Sequence, residues 1–479
     1  MRTNPVLWKR SYWISSIVLL AFAVVLALPC TARADNLTVN CAQGGTYDSI
    51  QAAVDALPAP PPGQWNTISI QGPCNESVSI SGQHRLWLGT SLCGDNNCTS
   101  RRPSVQITGD GSVPVLTITG SQDVTIENLI LTGGDTGLSV VGGSSVTGNI
   151  IKAEGNTFAG IAVGGLSSLS IYDGHAVGNG QNGIYTSGGS YLTLDGNTPW
   201  FPEPRPFLIS GNGGTNFTDG GIWSGGNLEI GGGVTIENNS NFGIAGAGGG
   251  EYVIGAWHGE NLIQNNPIGV SCREGASCVT YGPNTVKNSD IVGVQVTEGS
   301  TAQFFDAIIE GNGGAGVEVT VHSSALFGGQ NKIRNNGSTF EPQRAGIRVD
   351  GTSQLSLFGT TEVMGNTGPG IVADINSSLD VTDTTISGNS EEGIRVRHMS
   401  VAEIQGATTI GGNHGGPVTC DSRSLVITNL IPSTPRCANI EGAPGGPKPR
   451  SASAMRTAPN VAEMMQKARQ MAERFKQRK

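Results

Sequence analysis

Asn366-Thr367-Gly368-Pro369-Gly370-Ile371-Val372 is followed, 23 residues further on, by Asn389-Ser390-Glu391-Glu392-Gly393-Ile394-Arg395. The same Asn-x-x-x-Gly-apolar pattern stands earlier as Asn156 to Ile161 and Asn179 to Ile184. Working outward, the Gly anchors are Gly137, Gly160, Gly183, Gly221, Gly243, Gly269, Gly293, Gly316, Gly346, Gly370, Gly393 and Gly416. Their intervals run from 22 to 38 residues, and most are 23 or 24. In seven units an Asn lies four residues before the anchor: Asn156, Asn179, Asn239, Asn265, Asn312, Asn366 and Asn389.

A unit of this length leaves no room for a helix. After the anchor come a small polar turn, an alternating strand such as Leu355-Ser356-Leu357 or Tyr191 to Leu194, and a third strand such as Thr385-Ile386-Ser387. A propeller blade needs roughly 40–50 residues, and the Leu/Asn pattern of leucine-rich repeats is missing. Three strands and three turns per unit predict one rung of a parallel β-solenoid. Inward Ile, Val and Leu then stack on their equivalents roughly 4.8 Å along the axis. Asn at one turn in successive rungs predicts a ladder of side-chain amides. Gly supplies the positive φ angles that the turns demand. Composition agrees: 72 of 479 residues are Gly, with 5 % aromatic and 14 % charged residues. Such a chain cannot build a long helical bundle, because each helical Gly costs about 1 kcal/mol against Ala.

Near the N-terminus, Thr46 to Ala56 reads as a short helix with Ile50, Val54 and Leu57 on one face, stopped by Pro58 to Pro62. It is suited to covering the open end of a solenoid core. This run, the following strand Thr67 to Ile70 and the Asn-x-x-x-Gly-Ile rungs together resemble the pectin-lyase-like right-handed β-helix superfamily. The resemblance covers roughly residues 37–430. It implies an all-β fold: a right-handed parallel β-helix with an N-terminal capping helix, here joined to a basic C-terminal helical tail. The superfamily includes polysaccharide lyases, glycosidases, esterases, epimerases, tailspikes and adhesins, so fold alone leaves function open. The motifs of polygalacturonases and pectin esterases are absent, and no specific enzyme family is matched.

The expected organisation is a signal peptide at 1–34, a cap with the first rungs at 35–136, the repeat at 137–437, a linker at 438–459 and a basic amphipathic helix at 460–479. Lys9 and Arg10 precede an apolar run from Ile14 to Leu28, and Ala32-Arg33-Ala34 offers a cleavage site. Secretion to a periplasm, medium or cell surface follows. Eight cysteines then remain, and their spacing predicts disulfides: Cys93 with Cys98, Cys272 with Cys278, Cys420 with Cys437, and Cys41 with Cys74 by elimination. Residues 35–437 carry 15 basic against 34 acidic side chains, which argues against nucleic acid as a partner of the body. The tail carries 9 against 3, and its basic face suits either docking on the domain or contact with an anionic surface.

Strand periodicity places the residues two and four after each anchor outward. Late rungs gather charge there: Glu318, Arg348, Asp350, Asp374, Arg395 and Arg397, with His398 next in sequence. Asp350 and Asp374 fall in one column on adjacent rungs, a separation of roughly 5 Å. Mutual repulsion should raise the pKa of one and create an acid–base pair. With Glu318 they also form a candidate calcium site. The same charges equally suit a ladder of cross-strand ion pairs with no further role. Tyr185, Trp223 and Trp200 are candidate stacking platforms for sugars. His175, His258, His322 and His414 read as solvated turn residues. Two functions follow: non-catalytic binding of a polysaccharide or other surface polymer along this face, ranked first, or a polysaccharide lyase or glycosidase using the late-rung carboxylates and arginines.

Overall fold

The computed structural model describes residues 34–42, 44–90, 103–197, 206–338 and 344–428. Trp200, Cys93, Cys98 and Cys437 lie outside the described residues, as do the expected signal segment, linker and basic helix.

Every strand pairs in parallel with its equivalent one turn on, which makes a β-solenoid. Among the described residues one sheet has 14 strands, from Val78–Ser81 to Val418–Cys420, and contains the Gly-anchored strands. At about 4.8 Å per step it is about 60 Å long. We call it the anchored face. A 27-stranded sheet forms the other two faces. The second face runs from Tyr191–Asp195 to Leu425–Thr428, and the third from Phe207–Ser210 to Thr409–Gly411. In earlier turns a single strand, such as Ser168–Val177, bends across both at Asp173, whose φ is +61°.

Side-chain alternation sorts the residues. Ile161, Ile184, Ile222, Ile244, Val270, Val294, Val317, Ile347, Ile371 and Ile394 stack in register inside the anchored face, and each is 2 % exposed or less. Burial of each such side chain contributes about 1.5–3 kcal/mol, multiplied along the whole rod.

The amide ladder forms at the corner between the third and anchored faces. It comes in two runs, Asn156-Asn179-Asn212-Asn239-Asn266 and Asn312-Asn336-Asn366-Asn389-Asn413. After the first member of each run, each Oδ1 accepts from the preceding Asn side chain and from its backbone N–H, as Asn366 does from Asn336 at 3.0 Å and 3.0 Å. Contrary to the expectation from spacing, Asn266 and not Asn265 occupies the ladder, while Asn265 sits beside it at φ +54°. Ser289 stands between the two runs, its backbone N–H donating to Asn312.

The anchor glycines have a reason of their own. From Gly137 to Gly393 none has a positive φ. A Cβ on Gly346 would instead lie 2.6 Å from the Gly370 carbonyl and 2.7 Å from Asn366 Nδ2. The anchors are glycine because the ladder and the next rung leave no room. Positive φ belongs to turn glycines such as Gly188, at +61°.

The short helix Ile50–Asp55 packs Ile50, Ala53 and Val54 against the first strands. Ser49 Oγ accepts from Ala52 N–H, and Glu76 accepts from the backbone of Ile50 and Gln51. Those carboxylate bonds satisfy N–H groups that a helix start leaves open. The disulfides Cys41–Cys74 and Cys272–Cys278 are formed, and Cys420 is disulfide-bonded. Among the described residues no helix is long and apolar enough to cross a membrane.

Candidate functional site

The short strands Val317–Val319, Ile347–Val349, Ile371–Ala373 and Ile394–Val396 lie side by side on the anchored face. Register puts Gln295, Glu318, Arg348, Val372 and Arg395 in one column. The next column is set by backbone bonds from Asp350, Asp374, Arg397 and Asp421 to the strand before each. All six charged residues predicted for this face are therefore brought onto neighbouring rungs.

Outward does not mean exposed. Glu318 is only 7 % accessible and Asp374 4 %. Asp350 pairs with Arg348 at 2.7 Å. Asp374 is held by Arg397 at 2.8 Å and by His398 Nδ1 at 2.5 Å. Arg395 turns the other way, to Glu391 and to Glu392.

Each of the two carboxylates has its own cationic partners, Asp350 with Arg348 and Asp374 with Arg397 and His398. Burial pushes the Asp374 carboxyl up, but the His398 and Arg397 hydrogen bonds and charges outweigh it and leave it below 3.8. The carboxyl raised above its ordinary value is Glu318. Desolvation drives it up, the Asp350 charge adds to that, and the Arg348 charge and a Gln295 hydrogen bond only partly oppose it. The two carboxyls are thus shifted in opposite directions, Glu318 upward and Asp374 downward. The Arg348 Nε and the Asp350 Oδ1 beside Glu318 are buried without a hydrogen-bond partner.

The three carboxylates do not converge as a calcium cage. Among the described residues the one group of three metal-capable side chains is Cys41, Cys74 and Glu76, and the two cysteines are bonded to each other.

At the other end of the same column Tyr185 and Trp223 are register neighbours. Both are half-buried. Tyr185 leans on Phe158 at 5.7 Å and Trp223 on Phe242 at 5.8 Å. The Arg273 guanidinium lies 5.6 Å from the Trp223 ring centre and also bonds Ser271. Ser271 donates to Gln295, which continues the polar line to Glu318.

Two histidines depart from the reading as solvated turn residues. His175 lies within the strand Ser168–Val177 and meets Glu154 at 2.5 Å. His258 meets the buried Asp195 at 2.6 Å. His322 and His414 are exposed in turns. Sequence reasoning missed His398 as a partner of Asp374, and also Asp421, which accepts from His398 N–H at 2.7 Å. Counting four from Gly416 reaches Cys420 instead: Val418 pairs with Ile394, so Pro417 and not Gly416 stands at the anchor position, and Asp421 follows Arg397 in the column.

A family model described as "Right handed beta helix region" matches residues 115–200 and 269–431. No curated protein matches. Among solved structures, two mannuronan C-5 epimerase A-modules from Azotobacter vinelandii are similar. The first is 16 % identical, covers 82 % of this chain and 100 % of its own, and has a TM-score of 0.39. The second is 15 % identical over 79 % of this chain and 94 % of its own, with a TM-score of 0.34. An alginate lyase from Paenibacillus sp. is 13 % identical over 82 % and 98 %, with a TM-score of 0.21.

Proposed function

The chain belongs to the right-handed β-helix region family, whose model matches just over half of it, and we propose that it is an exported protein that binds a polysaccharide lengthwise along the anchored face. The observation that carries this reading is the column in which the half-buried Tyr185, Trp223, Gln295 and Arg348 stand in register, with the buried Ala245, Ser271 and Glu318 between them. The column is straight, rigid and aromatic at one end, and polar with paired charges at the other. A polymer of pyranose rings needs flat apolar faces for stacking and fixed hydrogen-bonding groups for its hydroxyls. The ion pairs leave little uncompensated charge, which favours a neutral or weakly charged glycan.

Export rests on the N-terminal apolar segment and fits the disulfides. In this reading Ile50–Asp55 caps the core, residues 35–136 hold that cap with the first turns, and residues 137–437 present the binding face. The basic segment 460–479 follows the linker at 438–459 and contacts the body or an anionic surface.

Binding is tested on a polysaccharide array, followed by calorimetry with the retained glycan. Trp223→Ala and Tyr185→Ala should each weaken affinity about 3- to 10-fold, the range for one aromatic contact. Unchanged affinity in both variants would remove the anchored face from the interaction.

One observation favours a second, catalytic reading: the opposed shifts of Glu318 and Asp374. In that case Glu318 is the proton donor, Asp374 the ionised partner, and Arg348 and Arg397 hold the substrate. Release of reducing ends, abolished in Glu318→Gln, would support it. No turnover by the wild-type protein on any retained glycan would leave binding alone.

A further inference from the structure

Among the described residues the second face departs from its regular register between Leu194 and Asp195. Asp195, at the end of Tyr191–Asp195, pairs with Gly232 rather than Gly231, because the register shifts after Leu194 and the neighbouring strand bulges. Bulges re-aim side chains and accompany functional sites. Here the bulge brings a carboxylate against a histidine. Asp195 has a side chain only 2 % exposed, and its Oδ2 lies 2.6 Å from His258 Nδ1, while the imidazole is 17 % exposed.

The surroundings are built to admit this pair. His258 sits in the turn after Glu251–Gly255, and the backbone N–H groups of Trp257 and His258 donate to the Gly231 carbonyl. A Cβ on Gly231 would come within 3.0 Å of the Asp195 carboxyl, and one on Gly232 within 2.9 Å of His258 N. Gly255 is covered by the Trp257 ring, which a Cβ there would meet at 2.6 Å. The glycines therefore make space for the turn that carries Trp257 and His258.

Two tyrosines and a second carboxylate complete the cluster. Tyr172 is the register partner of Asp195 on the preceding rung. Burial and then the charges of Asp195 and Glu229 push its phenol up. Tyr191 donates its hydroxyl to Glu229. None of these groups belongs to the anchored face.

We propose that Asp195, His258, Tyr172 and Trp257 form a saccharide-binding subsite on the second face, separate from the anchored face. The carboxylate at Nδ1 fixes the plane of the ring and leaves Nε2 for a ligand hydroxyl. Trp257 and Tyr172 add half-buried aromatic rings, and Glu229, which accepts from Tyr191, adds a second carboxylate. Aromatic surface beside fixed carboxylate and imidazole groups matches a polyhydroxylated ring, which has both apolar faces and hydroxyl edges.

The test uses the full mature chain labelled with 15N-histidine. Imidazole nitrogen spectra are recorded while cello-, xylo-, manno-, malto- and galacturono-hexaoses are titrated in separately. At least one hexaose should move the His258 Nε2 resonance saturably. By calorimetry, His258→Ala should weaken that hexaose at least 10-fold, and Asp195→Asn should weaken it by a smaller factor. Trp223→Ala, on the anchored face, should leave the His258 titration unchanged, so the two sites can fail separately. If no hexaose moves the His258 resonance in the wild-type protein, the pair is structural and the proposal falls. It falls equally if a folded His258→Ala binds the hexaose as tightly as wild type.

Discussion

Asn265 and Asn266 are adjacent, identical in type and opposite in expected cost, which makes them the sharpest probe of the fold. Asn266 is fully buried. Its Oδ1 accepts from Asn239 N–H at 3.0 Å and from Asn239 Nδ2 at 3.1 Å, and its Nδ2 donates to the carbonyls of Ile236 and Gln264. Asn266→Ala strips the partner from the Asn239 backbone N–H, from one Asn239 amide hydrogen and from the Ile236 carbonyl. An orphaned buried polar group costs about 1–3 kcal/mol. Three at the lower end, allowing for a water entering the vacated space, cost about 3–4 kcal/mol. Asn265 is outside the ladder at φ +54°, where glycine is at ease, so Asn265→Gly should change stability by less than about 1 kcal/mol. Guanidinium unfolding followed by tryptophan fluorescence gives the global difference. Hydrogen exchange at the Asn239 amide gives the local one, where about 3 kcal/mol is more than a hundredfold in opening. If Asn265→Gly proves as damaging as Asn266→Ala, or if Asn239 exchanges no faster in Asn266→Ala, the ladder does not hold the corner as argued.

Further outcomes follow from the same structure. Gly346→Ala must push against the Gly370 carbonyl and Asn366, at about 3 kcal/mol, whereas Gly248→Ala has open space and meets only the strain of its φ of +69°, about 1 kcal/mol; thermal unfolding ranks them. Glu318 has a raised folded pKa, so its contribution to stability is full below 4.5 and is lost as pH rises through the raised value. Glu318→Gln should therefore flatten the melting temperature between pH 4.5 and neutrality, and a slope equal to wild type would refute this. Asp374 has a lowered one, so its contribution stands above 3.8 and is lost as pH falls through the folded value. Asp374→Asn should remove that part of the acid destabilisation, and unchanged acid melting would refute it.

Much of the fold was legible because a solenoid writes its geometry into one-dimensional spacing. Gly370 and Gly393 open adjacent strands because 23 residues bring the chain once around. Period-two alternation within each strand then separated Ile394 from Arg395. Asn265 was misread because Asn265-Asn266 offers two amides, and only the corner backbone decides which points inward. The anchor glycines were recognised from spacing alone, and the crowding that requires them is an inter-rung distance that no single unit displays.

The site was less legible for a related reason. Period-two reasoning gives the direction of a side chain and not what lies over it, so Glu318 and Asp374 were placed outward yet are buried. Proton affinity depends on that cover and on partners from other rungs. Asp374 and His398 are 24 residues apart, and Asp195 and His258 are 63 apart. The first pair follows from the rung length, because one turn separates them. The second does not, because two rungs, a bulge and irregular intervals intervene. A repeat reading therefore finds sites made from equivalent positions and overlooks those made where the repeat is broken. On a β-solenoid the breaks are where a side chain can be aimed independently of its column, and the Asp195–His258 pair is placed at one.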